Sequence, residues 1–539
     1  MRNARTCLIL AAALLGTGAV LGAASPEPPP LPTFADVTEA SGVRFRHSFG
    51  DLEMSNIVEA TGAGAVLFDF DGDGWIDIYF VNGAWEETVS DNRGRSLRGQ
   101  LHNQLYRNLG DGTFEDVTDR AGVGDASPGF GGSTADYDGD GDVDLLVLNY
   151  GPDVLYRNEG DGTFTDVSEA SGLADPGWSL SAPWFDADGD GDLDVYVVNY
   201  LQYDAGALQA YYAADGHPGP LSYRGQQDAL YRNNGDGTFT NVTEEAGLAN
   251  PEGRGMSATA ADLNGDGLLD IYVANDAMAN TCFEAVGDGT FRERAMERGL
   301  AFGEHGQGVS SMGPYPGDVN RDGRVDLFIP DMGYGSLLVN DGDLFVDEVT
   351  RWKVALALGQ YTGWGGVLFD YDNDGYLDLF VCNGNAHHEY PEEDVLLRND
   401  GGRSYVDVSA SSGGWFQTKQ VGRGAAAGDL DNDGDLDLVV VNLNSDARIL
   451  RNDSSGNRSI LLDLGPRGVG AHVRLRANGL LQVEDAVPVR GYLSQMDPRL
   501  HFGVGDGTRV GGLEIRWPGG GAADIRGLEA GRRYEVTAP

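Results

Sequence analysis

Asp136-Tyr-Asp-Gly-Asp-Gly-Asp-Val-Asp144, followed by the apolar run Leu145-Leu-Val-Leu148 and by Asn149, is the stretch from which the rest of this 539-residue chain can be read. It sets five carboxylates in nine residues around two glycines. Like charges this close repel one another strongly unless a cation sits among them. Six further copies begin at Asp69, Asp186, Asp262, Asp318, Asp370 and Asp429. The shared form is Asp at position 1, Asp or Asn at 3, Asp at 5, Gly at 6 and Asp at 9.

That spacing has a chemical meaning. In a tight loop the side chains at 1, 3 and 5 turn toward one point, Gly at 6 permits the sharp turn, and the Asp at 9 closes the shell. All donors are oxygen, which suits Ca²⁺ better than the tighter, wetter octahedron of Mg²⁺. An EF-hand is excluded, because it needs a bidentate Glu at position 12. Here position 12 is apolar (Phe80, Val147, Val197, Val273, Ile329, Val381, Val440), so a strand starts within the motif. The candidate metal ligands of the first three loops are Asp69, Asp71, Asp73 and Asp77; Asp136, Asp138, Asp140 and Asp144; and Asp186, Asp188, Asp190 and Asp194. The fourth and fifth loops contribute Asp262, Asn264, Asp266 and Asp270, then Asp318, Asn320, Asp322 and Asp326. The last two contribute Asp370, Asp372, Asp374 and Asp378, then Asp429, Asp431, Asp433 and Asp437. Up to seven Ca²⁺ ions are expected. Plain solvated turns would also use Asp and Gly, but would not place Asp at position 9 every time.

The loops recur every 50 to 76 residues. Each follows a strand rich in small residues, such as Gly129 to Ser133 or Gly422 to Gly428, and precedes an apolar strand such as Asp194-Val-Tyr-Val-Val-Asn199. A third strand of the type Leu155-Tyr-Arg-Asn158, a Gly-Asp-Gly-Thr turn and a fourth strand of the type Phe-x-Asp-Val-Thr complete the unit. Asp-Gly between apolar runs is a hairpin signal. Four short antiparallel strands repeated seven times predict an all-β, seven-bladed β-propeller over residues 33–453. A parallel β-helix is the competing reading, but its coils are shorter and need no hairpin turns. The last unit lacks its fourth strand, and an orphan copy stands at Phe34-Ala-Asp-Val-Thr38. That N-terminal strand is therefore expected to close the seventh blade, leaving no exposed edge.

The net charge of −47 leaves the chain acidic even with seven divalent cations bound, and no basic stripe exists to neutralise phosphates, so nucleic acid is excluded as a partner. Residues 1–24 read as a secretory signal, with Arg2 and Arg5 before the apolar run Leu8 to Leu21, and a Pro-rich linker occupies 25–32. No later stretch is long and apolar enough for a transmembrane segment. The expected location is secreted, periplasmic or cell-surface. Cys282 and Cys382 are expected as free, buried thiols. No G-x-S-x-G elbow, P-loop or C-x-x-C marks an enzyme. Long insertions at Tyr200 to Gln227, with Tyr203, Tyr211, Tyr212, His217 and Tyr223, and after Asn383, with His387-His388-Glu389-Tyr390, are candidate binding loops. From 455 to 539 the acidic loops stop, and 11 Arg against 9 Asp plus Glu predict a small, slightly basic β-domain that docks on the acidic ring.

The Gly-rich strand followed by D-x-D-x-D-G-x-x-D resembles the FG-GAP/VCBS repeat of integrin-α-like propellers. The tail resembles the ASPIC/UnbV domain through Gly470-Ala-His-Val-Arg474, Gly491-Tyr-Leu-Ser-Gln495, His501-Phe-Gly-Val-Gly505 and Arg516-Trp-Pro-Gly519. Together they resemble bacterial relatives of the cartilage acidic protein family. The resemblance implies Ca²⁺ at positions 1, 3, 5 and 9, an extracellular site and a binding or cell-adhesion role toward a protein or glycan, with no defined reaction. Asn264, Asn320, Arg321 and Arg324 depart from the pattern, and the fifth loop is expected to be the weakest. A calcium-dependent lyase or hydrolase acting on polysaccharide or phospholipid, and a periplasmic or cell-surface assembly factor, are the competing functions.

Overall fold

The computed structural model describes residues 33–208, 216–454, 456–508 and 510–538. The expected leader and linker, and Tyr211 and Tyr212, lie outside the described residues. Among those residues the repeats form seven antiparallel sheets, six of four strands and one of five, the blades of a propeller. Blade 2 shows the plan: Gly129–Ala135, Asp144–Asn149, Val154–Asn158 and Phe164–Asp166 pair in chain order. Its second strand is buried at every position, as a strand sandwiched between neighbouring blades must be. The first strands line the axis. That of blade 7, Gly422–Gly428, meets that of blade 1, Ala65–Phe68, and so closes the ring.

The seventh blade is completed from the far end of the chain. Phe34–Asp36 pairs with Arg448–Asn452, Phe34 opposite Asn452 and Asp36 opposite Leu450. The buried Phe34 ring lies 5.9–6.4 Å from the rings of Phe369, Tyr371 and Phe416. Two blades depart from the plan because of proline, which has no N–H for the ladder. Pro183 splits the first strand of blade 3 into Ser179–Ser181 and Trp184–Phe185, and Pro314 and Pro316 leave blade 5 only Tyr315–Gly317. After several fourth strands the chain adds a single helical turn that the strand pattern did not disclose. Thr118–Ala121 and Ser168–Ser171 are examples, ended by Gly122 and Gly172 in the left-handed conformation.

The tail folds as two sheets around one core. Arg458–Asp463 lies between Leu500–Gly505 and Arg532–Glu535, and His472–Ala477 lies between Leu480–Asp485 and Gly512–Arg516, with Ala522–Ile525 at the edge. Leu462, Val473, Phe502 and Ile515 are buried between them. The tail covers the acidic-loop face of the ring. Arg499 donates to the Asp429 carbonyl (2.8 Å) and to Asn432 Oδ1 (2.7 Å), and Arg533 donates to the Gly74 carbonyl (2.8 Å). The arginines reach mainly loop carbonyls rather than loop carboxylates.

The axis itself is filled by the tail. Residues 488–497 enter the ring and add a strand-like bridge beside blade 1: Gln495 N donates to the Ala65 carbonyl (3.0 Å), and Leu67 N donates to the Gln495 carbonyl (3.2 Å). The Gln495 side chain accepts from Thr134 N (2.8 Å) and donates to Thr134 Oγ1 (2.6 Å) and the Leu67 carbonyl (3.2 Å). Ser257 Oγ donates to the Gly491 carbonyl (2.7 Å), and Tyr492 OH donates to the Thr61 carbonyl (3.0 Å). Small residues on the first strands are therefore required by a guest chain as well as by mutual crowding. A Cβ on Gly64 would stand 1.8 Å from the Leu493 carbonyl oxygen.

Gln495 is fully buried, so truncating it strands Thr134 N. Gln495→Ala is expected to lower stability by about 1–3 kcal/mol in urea unfolding. A loss below about 0.5 kcal/mol, the range of ordinary surface substitutions, would mean that the axial loop does not bear on the ring.

Candidate metal centres

Each acidic loop joins the first and second strands of its blade, on the face that the tail covers. Two left-handed residues shape it. Position 6 is Gly in every copy, with φ between +87° and +100°, as at Gly74, Gly141 and Gly434. Position 4 is also left-handed, and the sequence marks it by Gly or Asn in six of the seven copies: Gly72, Gly139, Gly189 and Gly265, then Arg321, Asn373 and Asn432. Gly and Asn visit this region readily, whereas an arginine there costs about 1–2 kcal/mol. The fifth loop thus bears strain as well as two extra positive charges.

Within a loop the Asp at 1 caps the turn. In the second loop Asp136 Oδ2 accepts Gly141 N (3.1 Å), while Asp138 and Asp140 accept Asp140 N (3.3 Å) and Asp142 N (2.9 Å). The Asp at 9 is almost fully buried in all seven copies, at most 2% exposed. Asp144 Oδ2 accepts Tyr137 N (3.2 Å), and Oδ1 accepts Asn158 N from the third strand (2.8 Å). Asp77, Asp194, Asp270, Asp326, Asp378 and Asp437 repeat this double bond with their own loops and third strands.

The carboxylates expected to converge do so in five loops. Positions 1, 3 and 9 bring oxygens within 4.8 Å of one another in the first three: Asp69, Asp71, Asp77; Asp136, Asp138, Asp144; Asp186, Asp188, Asp194. Positions 1, 3 and 5 do so in the last two: Asp370, Asp372, Asp374 and Asp429, Asp431, Asp433. Asp73, Asp140 and Asp190 stand outside the trios of their loops, as do Asp378 and Asp437. The loops with Asn264 and Asn320 form no such carboxylate trio among the described residues, which separates Asp262, Asp266 and Asp270, and Asp318, Asp322 and Asp326, from the rest. Arg324 pairs with Asp322 in the fifth loop. In the first, Arg107 pairs with Asp71 (2.5 Å) and Asp73 (2.7 Å).

A hard divalent cation fits what is left over. Asp136 Oδ1, Asp188 Oδ1, Asp372 Oδ1 and Asp431 Oδ1 are buried and have no hydrogen-bond partner. An unpaired buried carboxylate oxygen is expensive, and oxygen-only, carboxylate-rich shells suit Ca²⁺. Burial first, and like charge from loop partners, push the carboxyls upward: Asp144 and Asp270 to about 8, Asp194 and Asp429 to about 7, and Asp318 and Asp372 to about 6. Held charged, these clusters need a positive partner.

The two long insertions of the opposite face meet one another. The ring of His217 is 5.2 Å from that of His387, and burial lowers His217 to about 4. These imidazoles are neutral at pH 7. Tyr203 packs on Tyr223 with ring centroids 5.6 Å apart. Cys282 and Cys382 are both buried and free.

Residues 69–147, 136–197, 212–273, 262–329, 318–381 and 370–440 match the FG-GAP-like repeat, and residues 464–539 match the ASPIC and UnbV domain. The chain is 29% identical over 300 residues to cartilage acidic protein 1 of Xenopus tropicalis, covering 52% of this chain and 44% of that protein. It is 27% identical over 298 residues to the Homo sapiens protein of the same name, covering 52% and 43%. The chain thus spans less than half the length of these curated relatives. Among solved structures it is similar to BBS1N in complex with ARL6DN, at 8% identity and a TM-score of 0.41, covering 77% of this chain and 96% of that chain.

Raised carboxyls give the metal-free protein a distinctive pH response. Unfolded aspartates release their protons near 3.9, whereas Asp144 and Asp270 keep theirs to about 8 when folded. Between those values the folded state binds more protons than the unfolded, so stability is highest at the acid end and falls as pH rises. In chelator the melting temperature is expected to drop from pH 5 to pH 8; with calcium saturating, the drop should vanish. Parallel slopes in calorimetry would show that no cation answers to these groups.

Proposed function

The chain belongs to the FG-GAP-like repeat family and carries an ASPIC and UnbV domain, and from that premise we propose that it is a calcium-stabilised binding module acting outside the cytoplasm. The observation that carries this reading is the set of converging aspartates with buried, unpartnered oxygens. Asp69, Asp71 and Asp77 would hold one ion, Asp136, Asp138 and Asp144 another, and the remaining loops theirs, with the strained, arginine-bearing fifth loop the weakest. Bound calcium supplies positive charge that fixes each turn and lets the position-9 carboxylates stay ionised. Extracellular calcium modules bind at ~10⁻⁴–10⁻³ M, which suits a chain whose first residues read as a secretory signal.

The partner must be taken on an outer surface, because residues 488–497 of the chain itself occupy the axis. A protein or glycan is the class of partner we assign. Rigid blades presenting long loops such as 200–227 and 384–394 support recognition rather than turnover.

Calcium titration of the full chain is expected to give several sites and a raised melting temperature, reversed by chelator. Asp138→Ala is expected to remove about one site and reduce the shift while the circular dichroism stays that of a β-protein. Identical melting in calcium and in chelator would overturn the proposal.

A further inference from the structure

The four tail motifs divide by what they do. Gly491–Gln495 fills the axis, and His501–Gly505 docks on the sixth and seventh loops, where Gly505 N donates to the Asn373 carbonyl (2.7 Å) and a Cβ on Gly503 would meet Asp370 at 1.8 Å. The other two, Gly470–Arg474 and Arg516–Gly519, line a cleft of about 740 Å³ between the tail and the loops of blades 3, 4 and 5. That volume falls within the ~300–1,000 Å³ of small-molecule sites.

A break in the repeat opens this cleft. In the six other blades an Asn ends the third strand and its amide staples two neighbouring blades. Asn158 Nδ2, for example, donates to the Phe70 carbonyl of the first loop (2.8 Å) and the Val143 carbonyl of its own (3.1 Å). Asn108, Asn233, Asn340, Asn399 and Asn452 do the same. In blade 4 the position is Ala285. Its main-chain N–H still closes the loop on Asp270 (2.9 Å), but no side chain spans to the third loop, and Ala285 lines the cleft instead.

The tail wall is basic. Pairing of the two strands sets His472 directly opposite Arg516, and Arg474 lies two residues along on the same face, opposite Glu514. Val473, Leu475, Leu513 and Ile515 point the other way, into the tail core. His472 Nδ1 contacts Asp485 (2.8 Å), whose second oxygen accepts Asp262 N of the fourth loop (3.0 Å), so this wall is anchored to the ring. Two donors remain unused: Arg474 Nε and Trp517 Nε1 are buried without partners, and Trp517 is only 6% exposed. The facing wall carries Asp186, Asp188, Asp262, Asn264 and Asp266, with Arg324 at the blade 5 side.

We propose that this cleft binds a carboxylated oligosaccharide, its uronate groups on Arg474 and Arg516 and its hydroxyls on the facing loops. Guanidinium pairs carboxylate in a two-pronged bond, and the oxygen lone pairs that a bound ion leaves free on the facing loops accept hydroxyl donors. An acidic peptide brings the carboxylates without the hydroxyls, and a neutral glycan the reverse. The assignment rests on calcium occupying the third and fourth loops, which removes their repulsion of an anion.

Titration calorimetry of the full chain in saturating calcium, with trigalacturonate, is the test. Neutral maltotriose and pentaglutamate serve as comparators. The trimer is expected to bind and the comparators not to. Arg474→Gln combined with Arg516→Gln, and separately Ala285→Asn, which restores the missing staple, are each expected to weaken binding at least tenfold while keeping the calcium-dependent melting shift. Absence of trimer binding, equal binding of either comparator, or unchanged affinity in both variants would overturn the cleft assignment. If the wild-type melting shift is present in those cases, the calcium reading stands; if it is absent, that reading fails first.

Discussion

A carboxylate withdrawn from water must find donors, and in every blade the last aspartate of the acidic loop finds two. One is a main-chain N–H of the loop, and the other is a main-chain N–H of the third strand. This bond fixes where the second strand begins, how the loop curls and which residue of the third strand stands beside it. In six of the seven blades an Asn at that residue then reaches across to the preceding blade, so the order inside one blade becomes the spacing between blades; blade 4, with Ala285 there, lacks the bond. Asn108 joins blade 1 to blade 7 in this way by donating to the Leu430 carbonyl (2.8 Å). The ring depends on this chain of buried polar contacts as much as on apolar packing between second strands, because each unmet member would leave a costly buried group.

Much of this was legible in the sequence. The loop spacing gives the strands on either side, the apolar runs give the buried second strands, and the orphan Phe34-Ala-Asp-Val-Thr38 gives the closure that pairs Phe34 with Asn452. The converging trios were legible too, since alternate side chains in a tight turn face one point. What stayed hidden has physical reasons. The splits at Pro183 and around Pro314 and Pro316 follow from lost N–H donors, which a repeat pattern averages away. The tail strands Leu480–Asp485 and Leu500–Gly505 carry polar residues such as Gln482 and His501 that are buried, so their alternation is blurred, and Ala522–Ile525 is a short edge strand with no buried face to mark it. The cause of the glycine-rich inner strands was only half visible, because no local pattern announces that residues 488–497 will lie beside residues 64–67.

Irregularity is concentrated where the repeats differ in side chain rather than in backbone. Blade 4 keeps the strands, the turn and the Asp270 bonds of its siblings, yet Ala285 replaces the Asn that elsewhere fills the space between loops. The fifth loop keeps its path at the cost of an arginine in a left-handed conformation, and Arg321 Nε donates to the Gly375 carbonyl of the next loop. A ring of near-identical units thus acquires one side unlike the rest, and the tail sheet faces that side.

The axial loop also sets an order of events in the life of the chain. Gln495 bonds to Ala65 across more than four hundred residues, and Phe34 waits as long for Asn452. Contacts so distant in sequence form slowly, and here the closing edge comes from residues 448–452 and the hub from residues 488–497. Until residue 452 is made the N-terminal strand has no partner, and until residue 497 is made the inner strands have no hub. The ring therefore locks only after the greater part of the chain has been made.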